Sequence, residues 1–169
     1  RLARGLGWIA VACVVTACAK SPPVPTDNFY RLPDRSEPAI GAGSGAAERD
    51  GWGKVVFVET LRSDGLHTER AVVFSEDPKA LSLKRYHYHH WVDGPPRLLR
   101  DYIASRLRTS LPGRLVLTEN EAVPDVVVAG RVVRFDHHVV NKDDFGRALV
   151  SLELMVSKVG GGPLFLREY

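Results

Sequence analysis

Cysteine is almost missing from this chain. Its 169 residues hold two, Cys13 and Cys18, both close to the N-terminus. Past position 18 no intrachain disulfide can form, and neither a thiol nucleophile nor a cysteine-ligated zinc site is available. Beyond the first eighteen residues there is no apolar run approaching the roughly 20 residues needed to span a bilayer as a helix. Charge excess is missing too. The formal net charge is +3, but two of the 23 basic residues, Arg1 and Arg4, stand in the first four positions. The remaining 21 basic and 20 acidic side chains nearly cancel, which argues against a nucleic-acid groove. Internal repeats and heptads are absent. So are the Gly-x-Ser-x-Gly nucleophile elbow and the phosphate-cradling Gly-x-x-x-x-Gly-Lys. Nothing in the motif content points to an enzyme.

What is there begins with the first eighteen residues. Arg1 and Arg4 precede an almost wholly apolar run from Leu6 to Ala17, which closes on Val15-Thr16-Ala17-Cys18. A dozen apolar residues fit the core of a secretory signal and are too few for a spanning helix. Small Thr16 and Ala17 give a peptidase access to the backbone before Cys18, and a branched apolar residue stands three positions upstream. This order reads as a signal peptide over residues 1–17 ending in a lipobox, with cleavage between Ala17 and Cys18 and lipidation of Cys18 by acyl chains such as palmitate. Cys13 fits less well, because Ala10 takes the upstream place and the apolar run before it is too short. Several acyl chains on one cysteine hold a protein to a membrane where a single chain does not. Ala19 follows, where an Asp retains enteric lipoproteins at the inner membrane; its absence resembles the outer-membrane class. The chain opens on Arg rather than Met, so the start of translation is expected upstream.

Residues 18–28 read as a lipidated tether, held extended by Pro22, Pro23 and Pro25. Phe29 to Leu32 is β-prone and ends at Pro33. Residues 34–51 are Gly-, Ala- and Ser-rich and read as a loop. Strands are expected over Lys54–Glu59, Arg70–Phe74 and Leu83–Trp91, with a turn at Ser63-Asp64-Gly65. Pro95 and Pro96 open a helix running from about Arg97 to Ser110. Its apolar stripe is Leu98, Leu99, Tyr102, Ile103 and Leu107, and Arg97, Arg100, Arg106 and Arg108 lie opposite. Leu115–Leu117, Asp125–Phe135, Ala148–Val156 and Leu164–Arg167 are strands, so the C-terminal third is a β-meander. In Asp125–Phe135, strict alternation places Phe135 on the face opposite Val126, Val128 and Val132. The total is at least five strands and one strong amphipathic helix. A domain ending at Tyr169 leaves its last strand short, so the protein is expected to continue.

Five histidines invite a metal reading: His87, His89 and His90, and the pair His137 and His138. On a regular strand His87 and His89 face one side, a spacing zinc or copper can use, with Asp136 or Asp144 to complete a set. Two histidines at that spacing also arise on any polar-faced strand, and no motif links the two groups. The half-exposed strand edge is therefore the preferred reading, and a periplasmic metal-binding lipoprotein the alternative. Asp64, Glu69, Glu76 and Asp77 flank turns, where carboxylates are usually solvated. The basic helix face is either solvated or a contact for an acidic partner or lipid headgroups.

The lipobox, the Pro-containing spacer and Phe29-Tyr30-Arg31-Leu32-Pro33 resemble the ABC-type transport auxiliary lipoproteins, among them the lipoprotein of the paraquat-inducible intermembrane transport system. Tyr86, Tyr88, Trp91, Pro95, Pro96, Leu98 and Leu99 follow in the family's order. So do the strand Asp125–Phe135 and the hairpin from Phe145-Gly146 to Leu164-Phe165. The resemblance covers Cys18 to Tyr169 through diffuse motifs. It implies an α/β fold over residues 29–169: a single domain with a mixed sheet and amphipathic helices packed on it. It also implies a non-catalytic role at the periplasmic face of the outer membrane, with no cofactor. The implied partners are an MCE-domain protein, ABC transporter subunits and further copies of the chain, in a system that moves lipids or other hydrophobic compounds. The closing segment usual in that family is not present in this sequence.

Overall fold

The computed structural model describes residues 23–33, 52–77, 79, 81–139 and 146–169. The expected signal peptide, the Ala17–Cys18 junction, the start of the tether, the loop at 34–51 and the polar turn containing Asp144 lie outside the described residues. In chain order the elements are β1 (Asn28–Tyr30), β2 (Val55–Val58), β3 (Arg62–Ser63), a 3-10 turn (Gly65–Thr68), β4 (Ala71–Ser75), β5 (Lys84–Trp91), α1 (Pro95–Ser110), β6 (Leu115–Leu117), β7 (Val126–His138), β8 (Arg147–Lys158) and β9 (Pro163–Glu168). The described residues form a mixed α/β domain with one nine-stranded sheet and one α-helix, where the resemblance implied several helices.

The organising strand is β7. Along one edge it pairs antiparallel with β8, from Val126 opposite Lys158 to His138 opposite Arg147. Its other edge is shared in succession by three short strands, all parallel to it. Val56–Val58 of β2 lie beside Val126–Val128, Arg62 and Ser63 of β3 beside Arg131 and Val132, and Phe74 and Ser75 of β4 beside His137 and His138. Val126 and Val128 are buried and Val127 and Ala129 only half-buried, the alternation of a strand packed on one face. The outer strands complete the sheet. β6 lies parallel to β2, β5 antiparallel to β4, β1 parallel to β5, and β9 antiparallel to β8.

Two departures from the sequence reading have local causes. Ser63 is not in a turn, because backbone pairing with Val132 draws it into β3; the chain turns instead at Gly65, whose φ of +58° suits glycine. In β7 the pairing with β8 shifts between Val132 and Arg134. The extra residue of this bulge turns Phe135 onto the face of Val132, and both join Leu61 and Leu99 in one core cluster.

The helix starts two residues earlier than expected, with Pro95 and Pro96 in its first turn. The Gly94 carbonyl accepts from the Arg97 and Leu98 N–H groups, and the Leu107 carbonyl accepts from Leu111 just before Pro112 stops the helix. Its buried stripe is Leu99, Ile103, Ala104 and Leu107. Tyr102 lies off that stripe and is exposed. Ala104 takes the central place because a small side chain lets the helix approach the β2 and β7 valines. The main core joins Val56, Val58, Val116, Val126, Val128 and Val156 beneath α1, with Ile103 packed against both clusters.

Asp125 sets the register at the head of this core. Its Oδ2 accepts from the Lys54 and Val55 N–H groups at 2.7 and 2.9 Å. Those two bonds, Val55 first, hold its carboxyl below the usual carboxylate range. A group whose folded pKa is depressed stabilises the fold above its unfolded pKa and stops doing so as pH falls through the folded value. Asp125→Ala is therefore expected to lower the urea midpoint at neutral pH. The gap to wild type is expected to narrow as the pH falls below about 4. Unfolding curves at pH 7 and in acid check this.

Candidate functional site

An irregularity in β5 builds the site. Ala71 of β4 lies opposite His90, yet Val73 lies opposite Arg85, so five steps along β5 answer two along β4. The surplus breaks the alternation from which His87 and His89 were expected to share a side. His89 lines a hollow with Tyr30, Val72, Tyr86 and His137. His87 lines a different one with His90, Glu69 and Arg85. His138 Nδ1 is buried with no hydrogen-bond partner among the described residues. The Asp136 side chain is 1% exposed and bound by Arg134 at 3.0 Å. The five imidazoles therefore do not gather, and among the described residues no three His, Cys, Asp or Glu side chains come together as a metal-binding group.

The other polar candidates are held by neighbours. Glu69 pairs with Arg85 at 2.6 Å and Glu76 with Lys84 at 2.5 Å, so these carboxylates meet cations rather than one another. Arg100 donates to Thr60, the Thr118 carbonyl and Asp101, and its side chain is only 11% exposed. Arg108 donates twice to the Val116 carbonyl and Arg97 pairs with Asp93. Arg100 and Arg108 fasten α1 to the neighbouring chain at Thr60 and around β6, whereas the Arg97 pair is local and exposed.

Beside His89 and His137 lies an apolar cleft of about 270 Å³. Leu32 enters from the segment after β1, Val72 and Val73 from β4, Trp91 from β5, Phe135 from β7, and Ala148, Leu149 and Val150 from β8. Trp91 and Phe135 meet at a ring-centroid distance of 5.0 Å. Tyr30, Val72 and His137 are common to the cleft and to the His89 hollow, so the two spaces share walls.

Two tyrosine–histidine hydrogen bonds frame the shared end. The Tyr30 hydroxyl and His89 Nδ1 are 2.7 Å apart, with the rings stacked at 15°. The Tyr86 hydroxyl and His137 Nδ1 are 3.2 Å apart. Tyr86 also stacks on Phe74 at 4.1 Å. Burial, with a smaller contribution from Glu76, raises the Tyr86 pKa, so its phenol keeps its proton. Gly146 precedes β8 at φ +66°, and a Cβ there would run into the His137 ring. This end offers hydroxyl and imidazole groups for hydrogen bonding, and the cleft offers apolar contact.

Sequence reasoning placed Tyr30 in a β-prone run and Tyr86 in a strand without giving either a role. Their signal is positional. Tyr30 docks on β5 through the parallel pairing of β1, and Tyr86 is turned by the β5 irregularity.

Comparison with known proteins finds no matching family model and no matching curated protein. Among solved structures, protein XCC0632 from Xanthomonas campestris, assigned to the family model DUF330, superposes with a TM-score of 0.64 at 16% identity. The alignment covers 84% of this chain and 75% of that one. The chain shares the fold of that structure. A second crystal structure, of an uncharacterised protein, gives a TM-score of 0.59 at 18% identity over 86% of this chain and 80% of that one. The DUF330 likeness is one of architecture: a mixed sheet with a helix packed on it.

Proposed function

We propose that this chain is a lipoprotein anchored at the periplasmic face of the outer membrane through Cys18. It serves as a non-catalytic accessory of an ABC transporter and MCE-type intermembrane transport system, docking or bracing the MCE-domain protein. Its resemblance to the ABC-type transport auxiliary lipoproteins runs from the lipobox to the closing hairpin, and the DUF330 architecture is compatible with that membership. The observation that carries the reading is the docking of β1. Asn28–Tyr30 pair in parallel with His89–Trp91, and Tyr30 and Leu32 form one wall of the cleft. The chain that follows the tether is therefore built into the sheet. Ten residues from Cys18 to Asn28 reach at most about 35 Å, which keeps the domain near the membrane that holds the anchor.

The test is crosslinking in intact envelopes. Tagged full-length protein is purified after detergent solubilisation, and its companions are identified by mass spectrometry. An MCE-domain protein with its transporter subunits is expected with the wild type. Recovery is expected to drop severalfold for Cys18→Ser, which removes the acylation site and leaves too little apolar contact for firm anchoring. A clean preparation without those proteins overturns the reading.

A further inference from the structure

We propose that the cleft and the adjoining hollow form one binding groove for a single-chain amphiphile, with its alkyl chain against Leu32, Val72, Trp91, Phe135 and Val150 and its anionic head hydrogen-bonded by the Tyr30–His89 and Tyr86–His137 pairs. Shared walls make the two spaces one groove: Tyr30, Val72 and His137 line both. Volumes of about 270 and 370 Å³ lie just below and just above the roughly 300 Å³ at which small-molecule sites start, and such sites combine apolar walls with a few polar groups.

The polarity runs one way along the groove. At the Phe135 end the walls are aliphatic or aromatic, and the one acidic residue there, Asp136, has its carboxylate turned out of reach and neutralised by Arg134. At the Tyr86 end no carboxylate lines the hollow, and every polar side chain in the wall is a phenol or an imidazole. In each Tyr–His pair the hydroxyl and Nδ1 share one proton, so a neutral pair has one further proton to donate, on the phenol oxygen or on Nε2. Val150 is 48% exposed beside the cleft, so apolar surface remains open to a ligand. An alkyl chain ending in an anionic head matches both ends. Fatty acids and lysophospholipids share that chemistry. The inference does not rest on the accessory role, since it concerns the groove itself rather than a docking partner.

The test uses the full chain reconstituted in phosphatidylcholine nanodiscs and exposed to a fatty acid carrying a diazirine on its chain. After illumination the labelled peptides are mapped by mass spectrometry. Label is expected to concentrate on peptides containing Val72, Trp91, Phe135 or Val150. Ala148→Phe sends a ring into the cleft from a solvent-exposed position. It is expected to cut that label about tenfold with an unchanged circular dichroism spectrum. Tyr86→Phe combined with His89→Leu removes one hydrogen-bonding side chain from each pair at the head end. It is expected to cut labelling by the acid about tenfold and to leave labelling by the alcohol of the same length unchanged. Competition by lysophosphatidylglycerol assigns the ligand to phospholipid breakdown; competition only by unlabelled fatty acid assigns it to the free acid. Label spread evenly over the surface, label indifferent to Ala148→Phe, or an alcohol labelling as well as the acid overturns the proposal.

Discussion

Replacing Phe135 with alanine is expected to destabilise the folded chain by about 3 kcal/mol. The ring is 6% exposed and packs with Leu61, Leu99 and Val132, and it meets Trp91 at 5.0 Å. Truncation loses the transfer free energy of the ring and leaves a hole that neighbouring side chains fill only in part, because they are fixed by β7, β8 and α1. The usual range for such a change is about 3 to 5 kcal/mol, and the open cleft on one side of the ring places it at the lower end. With a urea slope of about 2 kcal/mol/M, the midpoint is expected to fall by about 1.5 M. Trp91 fluorescence is expected to change in the folded state as well. Phe135→Leu keeps most of the volume and is expected to recover most of the loss. A midpoint shift under about 0.5 M for the alanine variant contradicts the assignment of Phe135 to the core.

Gly130→Ala is expected to cost about 3 kcal/mol, an unusual penalty for adding one methyl group. Gly130 lies in the middle of β7, opposite Leu154 of β8. A Cβ there would run into the Glu153 carbonyl oxygen and a Leu154 methyl group. The leucine can rotate; the carbonyl belongs to the paired backbone and can yield only if the two strands separate. The neighbouring Ala129→Gly, which adds only backbone entropy to the unfolded chain, is expected to cost below about 1 kcal/mol. Comparing the two variants in one denaturation series separates close approach from strand propensity. Equal costs refute the steric account.

The parts legible in the sequence are those where one rule acts alone. The proline pair and the apolar stripe mark α1, which starts two residues before expectation and stops at Ser110 as expected. The valine run announces β7. What stayed hidden depends on pairing between distant residues. Phe135 changes face because of a bulge, and no local feature of Val132–Arg134 marks it. β3 has two residues, Arg62 and Ser63, and exists only because β7 offers it an edge. β7 continues through the polar Asp136, His137 and His138, since β4 and β8 bond them on both edges. The candidate site is the least legible part. Alternation grouped His87 with His89, whereas the β5 irregularity groups His89 with Tyr86, and β1 adds Tyr30 from 59 positions away.

One strand, β7, gives β2, β3 and β4 their common edge, and that arrangement dictates an order of assembly. During synthesis these three strands leave the ribosome well before Val126 does, and they cannot pair with one another in the native way. The β4–β5 and β7–β8 pairings are both local, and the second supplies the edge on which β2, β3 and β4 are later joined. Until β7 is in place, β2 and β4 have at most one native neighbour each, β6 and β5, and their Val-Val-Phe-Val and Ala-Val-Val-Phe runs keep an open, β-prone edge. Slow refolding from dilute denaturant and loss of yield at high protein concentration are the natural consequences of a sheet whose early strands wait on an edge supplied from far along the chain.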